Sequence, residues 1–145
     1  MRVVEQDLGK PLPDSGGRFD AIVSCFAIYH LEDERKRELY EVVFGLLEPD
    51  GVFCNLEHAS SPTARLQERF LSALGLAPKE EDPYNRLLDV ETQLGWLQEI
   101  GFVDVGCRWK WLELALLGGV KPGLTSPASR RWSTARKVWR GEAEA

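Results

Sequence analysis

Phe19-Asp20-Ala21-Ile22-Val23-Ser24-Cys25, then Ala27-Ile28-Tyr29-His30-Leu31, then Leu46-Leu47-Glu48-Pro49-Asp50-Gly51-Val52-Phe53 are the stretches that decide the fold. The run from Ala21 to Phe26 is almost continuously apolar, the pattern of a strand covered on both faces in the middle of a parallel sheet. Leu39, Val42, Val43, Leu46 and Leu47 recur at helical spacing between Glu32 and Leu47, with Glu32 and Asp33 where acidic groups favour a helix N-terminus. Pro49-Asp50-Gly51 then turns the chain into a second apolar strand, Val52 to Leu56, which ends in Glu57-His58. Strand, helix and strand in this order imply a right-handed parallel unit.

Upstream, Arg2 to Glu5 reads as a short strand leading to Asp7-Leu8, and Gly9 to Arg18 as a loop. Downstream, Ser61-Pro62 is a helix start, with Leu66, Phe70, Leu71 and Leu74 as its apolar stripe up to Gly75. Asp89 is placed to cap a further helix carrying Val90, Leu94, Leu97 and Ile100 and closed by Gly101. Val103, Val105, Cys107 and Trp109 alternate with polar residues and glycine, and a partner strand follows from Leu112 to Leu117, giving a hairpin. Gly16-Gly17 and Gly118-Gly119 both read as turns.

The chain has 145 residues, 43% hydrophobic and 28% charged, a length and composition suited to one globular core. Its net charge of -5 gives no global attraction to nucleic acid or anionic membranes, which favours a small-molecule partner. No apolar stretch approaches the roughly 20 residues of a membrane span, and the N-terminus lacks signal-peptide regions, so a cytoplasmic location is expected. Cys25, Cys54 and Cys107 are odd in number and set in apolar runs, which suits reduced, buried cysteines and neither a disulfide framework nor a zinc site.

Taken together, these stretches resemble the central signature of class I S-adenosylmethionine-dependent methyltransferases: FD, a hydrophobic strand, an HL pair, a helix, and LxPGG before the next strand. Gln93 to Leu97 and Ile100 to Val105 are similar to the family's last helix and its GF-x-x-V strand, and Lys121-Pro122 sits where many members end. The resemblance covers Arg2 to Pro122. It implies a Rossmann-like, three-layer αβα sheet in the order 3-2-1-4-5-7-6, with the ligand at the carboxyl ends of the strands. Arg2 to Glu5 would be the third strand, Ala21 to Cys25 the fourth and Val52 to Leu56 the fifth. The first two strands and the glycine-rich loop have no counterpart in this sequence, so the chain reads as the C-terminal half, truncated at its N-terminus. The fourth strand would then present an unpaired edge, which leaves three readings: a truncated gene model, the one favoured, a partner chain that supplies the missing strands, or a homodimer formed across that edge.

The resemblance implies S-adenosylmethionine as cofactor, held by Asp7 at the adenine amino group, the Leu8 backbone, and Cys25 and Phe26 at the end of the fourth strand. Both histidines fall just past strand ends, where such sheets bind ligands. His30 is the candidate general base, or a wall of the acceptor pocket; the competing reading is a helix-entry histidine bonded to the backbone. Tyr29, Glu57, His58 and Trp109 are candidate substrate contacts, with Trp111 beside Trp109; solvation of Glu57-His58 and core packing of the tryptophans compete with that role. Tyr29 replaces the first residue of the family's HHL triplet and Asp50 the first glycine of its PGG turn, so substrate does not transfer from relatives. The activity implied is methyl transfer to a small molecule or a tRNA base, with no metal required. The alternative is a non-catalytic remnant or subunit that folds by pairing with another chain, and this chain alone is expected to be inactive.

Residues 1–122 form the methyltransferase-like domain on this reading, and 123–145 a basic tail, disordered or a short helix. Trp132, Ala135 and Trp139 would share one helical face among arginines, the one place where nucleic acid would find a local basic patch.

Overall fold

The computed structural model describes residues 3–13, 16–77, 80 and 82–123. The expected tail therefore lies outside the described residues. Seven elements follow in chain order: β1 (Phe19–Cys25), α1 (Asp33–Leu46), β2 (Leu47–His58), α2 (Ala64–Ala73), α3 (Val90–Ile100), β3 (Val103–Trp111) and β4 (Leu114–Val120). The strands form one mixed sheet in the order β1-β2-β4-β3. β1 and β2 run parallel, with Ala21 opposite Val52 and Cys25 opposite Leu56, while β4 lies antiparallel to both β2 and β3.

Burial follows strand alternation. Phe53, Asn55, Glu57, Ala115 and Leu117 are buried and share one face. Leu39, Tyr40 and Val43 of α1 and Leu97 of α3 belong to the same core cluster as Phe53, joined by Ile28, Leu47 and Phe102. A second cluster, Ala59, Val90, Ala115 and Leu117, lies toward the carboxyl end of β2. On the opposite face, α2 sets Phe70 against His58 and Trp111.

Several expectations are corrected. Val3 to Glu5 form no strand, and Val3 is 80% exposed. In the resembled order the third strand pairs with the second, and without that neighbour nothing satisfies its backbone. β1 is not a middle strand: it lies at the sheet edge among the described residues, with Val23 73% exposed. For the same reason Cys25 is exposed; Cys107 is exposed and Cys54 half-buried, so the cysteines are free thiols without being core residues. Helix α2 begins two residues later than Ser61-Pro62 suggests, because Thr63 provides the cap, its hydroxyl accepting from the Leu66 amide at 3.3 Å. Gly118-Gly119 lies inside β4 and is no turn. A side chain at Gly118 would collide with the Phe53 carbonyl, so the pair permits close approach of β4 to β2.

Candidate functional site

The carboxyl ends of β1 and β2 point the same way because the two strands are parallel, and the segments leaving them meet. Phe26, the first residue beyond β1, has φ 48° and donates its amide hydrogen to the Leu56 carbonyl at 2.9 Å. A bulky residue in the left-handed region is uncommon and is held there by its surroundings. The chain then turns through Ala27, buries Ile28 in the core, and places Tyr29 and His30 beside the end of β2. The Tyr29 ring lies 3.9 Å from the His30 ring and 5.6 Å from that of His58, centroid to centroid.

Beneath these rings runs a buried polar chain. Glu57, 1% exposed, accepts from Asn55 Nδ2 at 2.7 Å, and Asn55 Nδ2 also donates to the Tyr40 hydroxyl at 3.2 Å. Tyr40 in turn donates to Gln93 Oε1 at 2.7 Å, and Gln93 donates to the Leu88 carbonyl. Glu57 Oε1 and Asn55 Oδ1 are buried with no hydrogen-bond partner at full geometry among the described residues, although the Tyr29 and His58 backbone lies close enough to the Glu57 carboxyl to favour its charged form. Burial pushes the Glu57 carboxyl up to about 7, against the opposing pull of the Asn55 amide and the Lys36 charge. Burial and the neighbouring Asp82 and Glu57 charges raise the Tyr29 phenol, and burial with Glu57 raises Tyr40.

The opposite side of β2 carries a second pair. His58 Nε2 lies 2.8 Å from Glu113 Oε2, and Glu113, on the turn between β3 and β4, is 1% exposed. The Ala59 amide donates to the Glu113 carbonyl at 2.7 Å and fixes that turn to the end of β2. Beside it opens a cleft of about 630 Å³ between the segment after β2, the start of α2 and residues 82–87.

The structure thus brings Tyr29, His30, Glu57 and His58 together. Trp109 is 49% exposed on β3, and it is Trp111 that connects to this cluster, through Phe70 to His58. Asp7 and Leu8 sit on a separate loop. Asp7 accepts from the Gly9 amide at 2.8 Å, and the Leu8 carbonyl accepts from Arg35 Nε at 2.9 Å, which ties the loop to α1. Cys25 and Phe26 are exposed at the edge strand. No described strand stands beyond β1.

Sequence reasoning missed Tyr40, Asn55, Gln93 and Glu113. A signal existed for three of them. Asn55 interrupts an apolar strand, Gln93 falls three residues after Val90 and four before Leu97 on the helix stripe, and Glu113 stands alone in the apolar run from Trp111 to Leu117.

No protein-family model matches the sequence. Comparison with curated proteins gives no match either. Solved structures do match. An O-methyltransferase family protein from Burkholderia thailandensis superposes with a TM-score of 0.61 at 20% identity, over 83% of this chain and 36% of its own. The apo form of the S-adenosylmethionine-dependent methyltransferase SibL gives 0.60 at 17% identity, over 83% and 36%. Human N-acetylserotonin methyltransferase in complex with S-adenosylmethionine gives 0.56 at 17% identity, over 82% and 33%. The chain spans about a third of the length of these structures. Its strand order matches four-five-seven-six of the resembled sheet, so over the 83% of the chain that superposes it has part of the class I methyltransferase fold.

Proposed function

We propose that this chain is the acceptor side of an S-adenosylmethionine-dependent methyltransferase acting on a small molecule or a tRNA base. The observation that carries the reading is the meeting of Tyr29, His30, Glu57 and His58 at the carboxyl ends of two parallel strands, next to exposed Cys25 and Phe26. Bound S-adenosylmethionine would supply an electrophilic methyl group. Transfer from a sulfonium is an in-line displacement, so the protein's tasks are alignment and, where the acceptor needs it, proton removal. His30, exposed at the rim and tilted against Tyr29, is the group assigned to take that proton. Tyr29 forms the wall between His30 and His58. Cys25, Phe26, Asp7 and Leu8 contribute one side of the cofactor site.

Titration calorimetry with S-adenosylhomocysteine tests the division of labour. The isolated 145-residue chain is expected to show no saturable binding tighter than about 1 mM. Micromolar binding would mean that its site is complete. The DNA upstream of Met1, read in frame, is expected to encode a strand, a glycine-rich loop and a helix. If neither that segment nor a copurifying chain carries them, the methyltransferase reading fails. A non-catalytic subunit is the second reading, favoured by the exposed edge of β1, which suits pairing with another chain.

A further inference from the structure

The cleft beside the Glu113 turn is polar, and the charged side chains among its described lining residues are acidic. Among its described lining residues are Ser60, Ser61, Thr63, Asn85, Asp82 and Glu113; the last two are ionisable, and neither lysine nor arginine is present. Arg86, which stands between the lining residues Asn85 and Leu87, is committed elsewhere: it pairs with Glu32. Glu113 is nearly inaccessible, and its one side-chain hydrogen bond among the described residues is with His58 Nε2. An ionised carboxylate has about four acceptor sites, so one imidazole contact leaves most of its capacity unused. Buried carboxylates are stable where cations and further donors meet them.

From this geometry we infer that the cleft binds the acceptor through a protonated amino group, held by the Glu113 carboxylate and steered by Asp82. The inference rests on the methyltransferase reading only for the word acceptor; the amine site itself stands on the cleft. An ammonium brings three donors, matching the unused lone pairs of Glu113 and the hydroxyl and amide groups of Ser60, Ser61, Thr63 and Asn85. Asp82 is exposed at the mouth, where its Oδ1 accepts from the Tyr84 amide at 2.9 Å, so it attracts a cation without enclosing it. A carboxylate ligand would meet like charge, and a neutral alcohol would gain hydrogen bonds without the ionic contribution.

Nuclear magnetic resonance titration of the full chain with n-butylammonium, 1-butanol and butyrate tests this. Butylammonium is expected to shift the amide signals of residues 60–64 and 82–87 with an affinity about tenfold above that of butanol, and butyrate is expected to leave them in place. Glu113→Gln is expected to lower ammonium affinity about tenfold and Asp82→Asn about threefold. Equal binding of ammonium and alcohol, no ammonium shifts at these residues, or unchanged affinity in a folded Glu113→Gln would overturn the inference. If Glu113→Gln does not fold, the exposed Asp82→Asn decides by the same criterion. Titration with S-adenosylhomocysteine is read separately: loss of the methyltransferase reading with ammonium binding intact leaves an amine site, and the reverse outcome removes only the amine.

Discussion

Glu57 shows how far one side chain departs from what its sequence position suggests. Leaving a strand beside His58, it reads as a solvated polar residue, yet it is 1% exposed and its carboxyl is pushed up to about 7 by burial. An acid whose folded pKa exceeds its unfolded value of 4.5 binds its proton more tightly when folded. Its contribution to stability is complete below about 4.5 and is lost as pH rises through about 7, a decline of about 3 kcal/mol. Urea denaturation at successive pH values should therefore show stability falling over that window. Glu57→Gln keeps an acceptor for the Asn55 amide and removes the ionisation, so the variant should be flat there and more stable than the native chain at pH 8. An unchanged slope would place the titration on another group. Glu57 was legible as a candidate residue and its burial was not, because burial depends on how α1, with Tyr40, and the distant α3, with Gln93, pack over β2. The His58–Glu113 pair was hidden for the same reason: the alternation reveals a hairpin, but the turn's position against β2 is a tertiary fact.

At the level of elements, local chemistry was the better guide. Asp89 caps α3 as its position predicts, accepting from the Thr92 amide at 2.7 Å and the Thr92 hydroxyl at 2.8 Å, and Gly101 closes the helix at φ 121°. Burial acts to raise the Asp89 carboxyl, but hydrogen bonds from the Thr92 amide and hydroxyl and from the Asp89 and Glu91 backbone together outweigh it and hold the group below its ordinary value. The cap's ionic contribution is thus present above the ordinary aspartate range and is lost as pH falls through the lowered folded pKa. Asp89→Ala should cost about 1 kcal/mol, and up to about 2, by denaturant titration at neutral pH, with Asp89→Asn costing less because it retains an acceptor. Equal losses in both variants would show that charge matters here and capping geometry does not. Local chemistry misled where it was ambiguous. Ser61-Pro62 and Thr63 are all plausible starts for α2, and Thr63 prevails because its hydroxyl reaches the Leu66 amide. Gly118-Gly119 resembles a turn, yet its lack of side chains serves the close passage of β4 along Phe53.

At the scale of the molecule, the apolar character of β1 and its place in the sheet disagree. Ala21 to Phe26 has the composition of a strand with neighbours on both sides, but β2 is its one partner among the described residues. Phe19, Val23 and Phe26 are exposed, and an apolar groove of about 380 Å³ runs along the strand, lined by Val4, Leu12, Phe19, Ile22, Val43 and Leu46. Hydrophobic pattern reports what the faces of a strand are suited to touch, and the mismatch supports the proposal that another chain covers and pairs with β1. An edge of this kind pairs with whatever extended chain is available. Sedimentation velocity on the isolated chain should accordingly show association that grows with concentration. Val23 is 73% exposed, so Val23→Lys removes little packing and should change stability by no more than about 0.5 kcal/mol, while the charge blocks edge pairing and keeps the chain monomeric. Leu74→Lys supplies the control: Leu74 is 49% exposed at the C-terminal end of α2 and does not line that groove, and the substitution should leave association unchanged. A native chain that stays monomeric throughout, or a Leu74→Lys variant that dissociates as readily as Val23→Lys, would mean that β1 is not the associating surface.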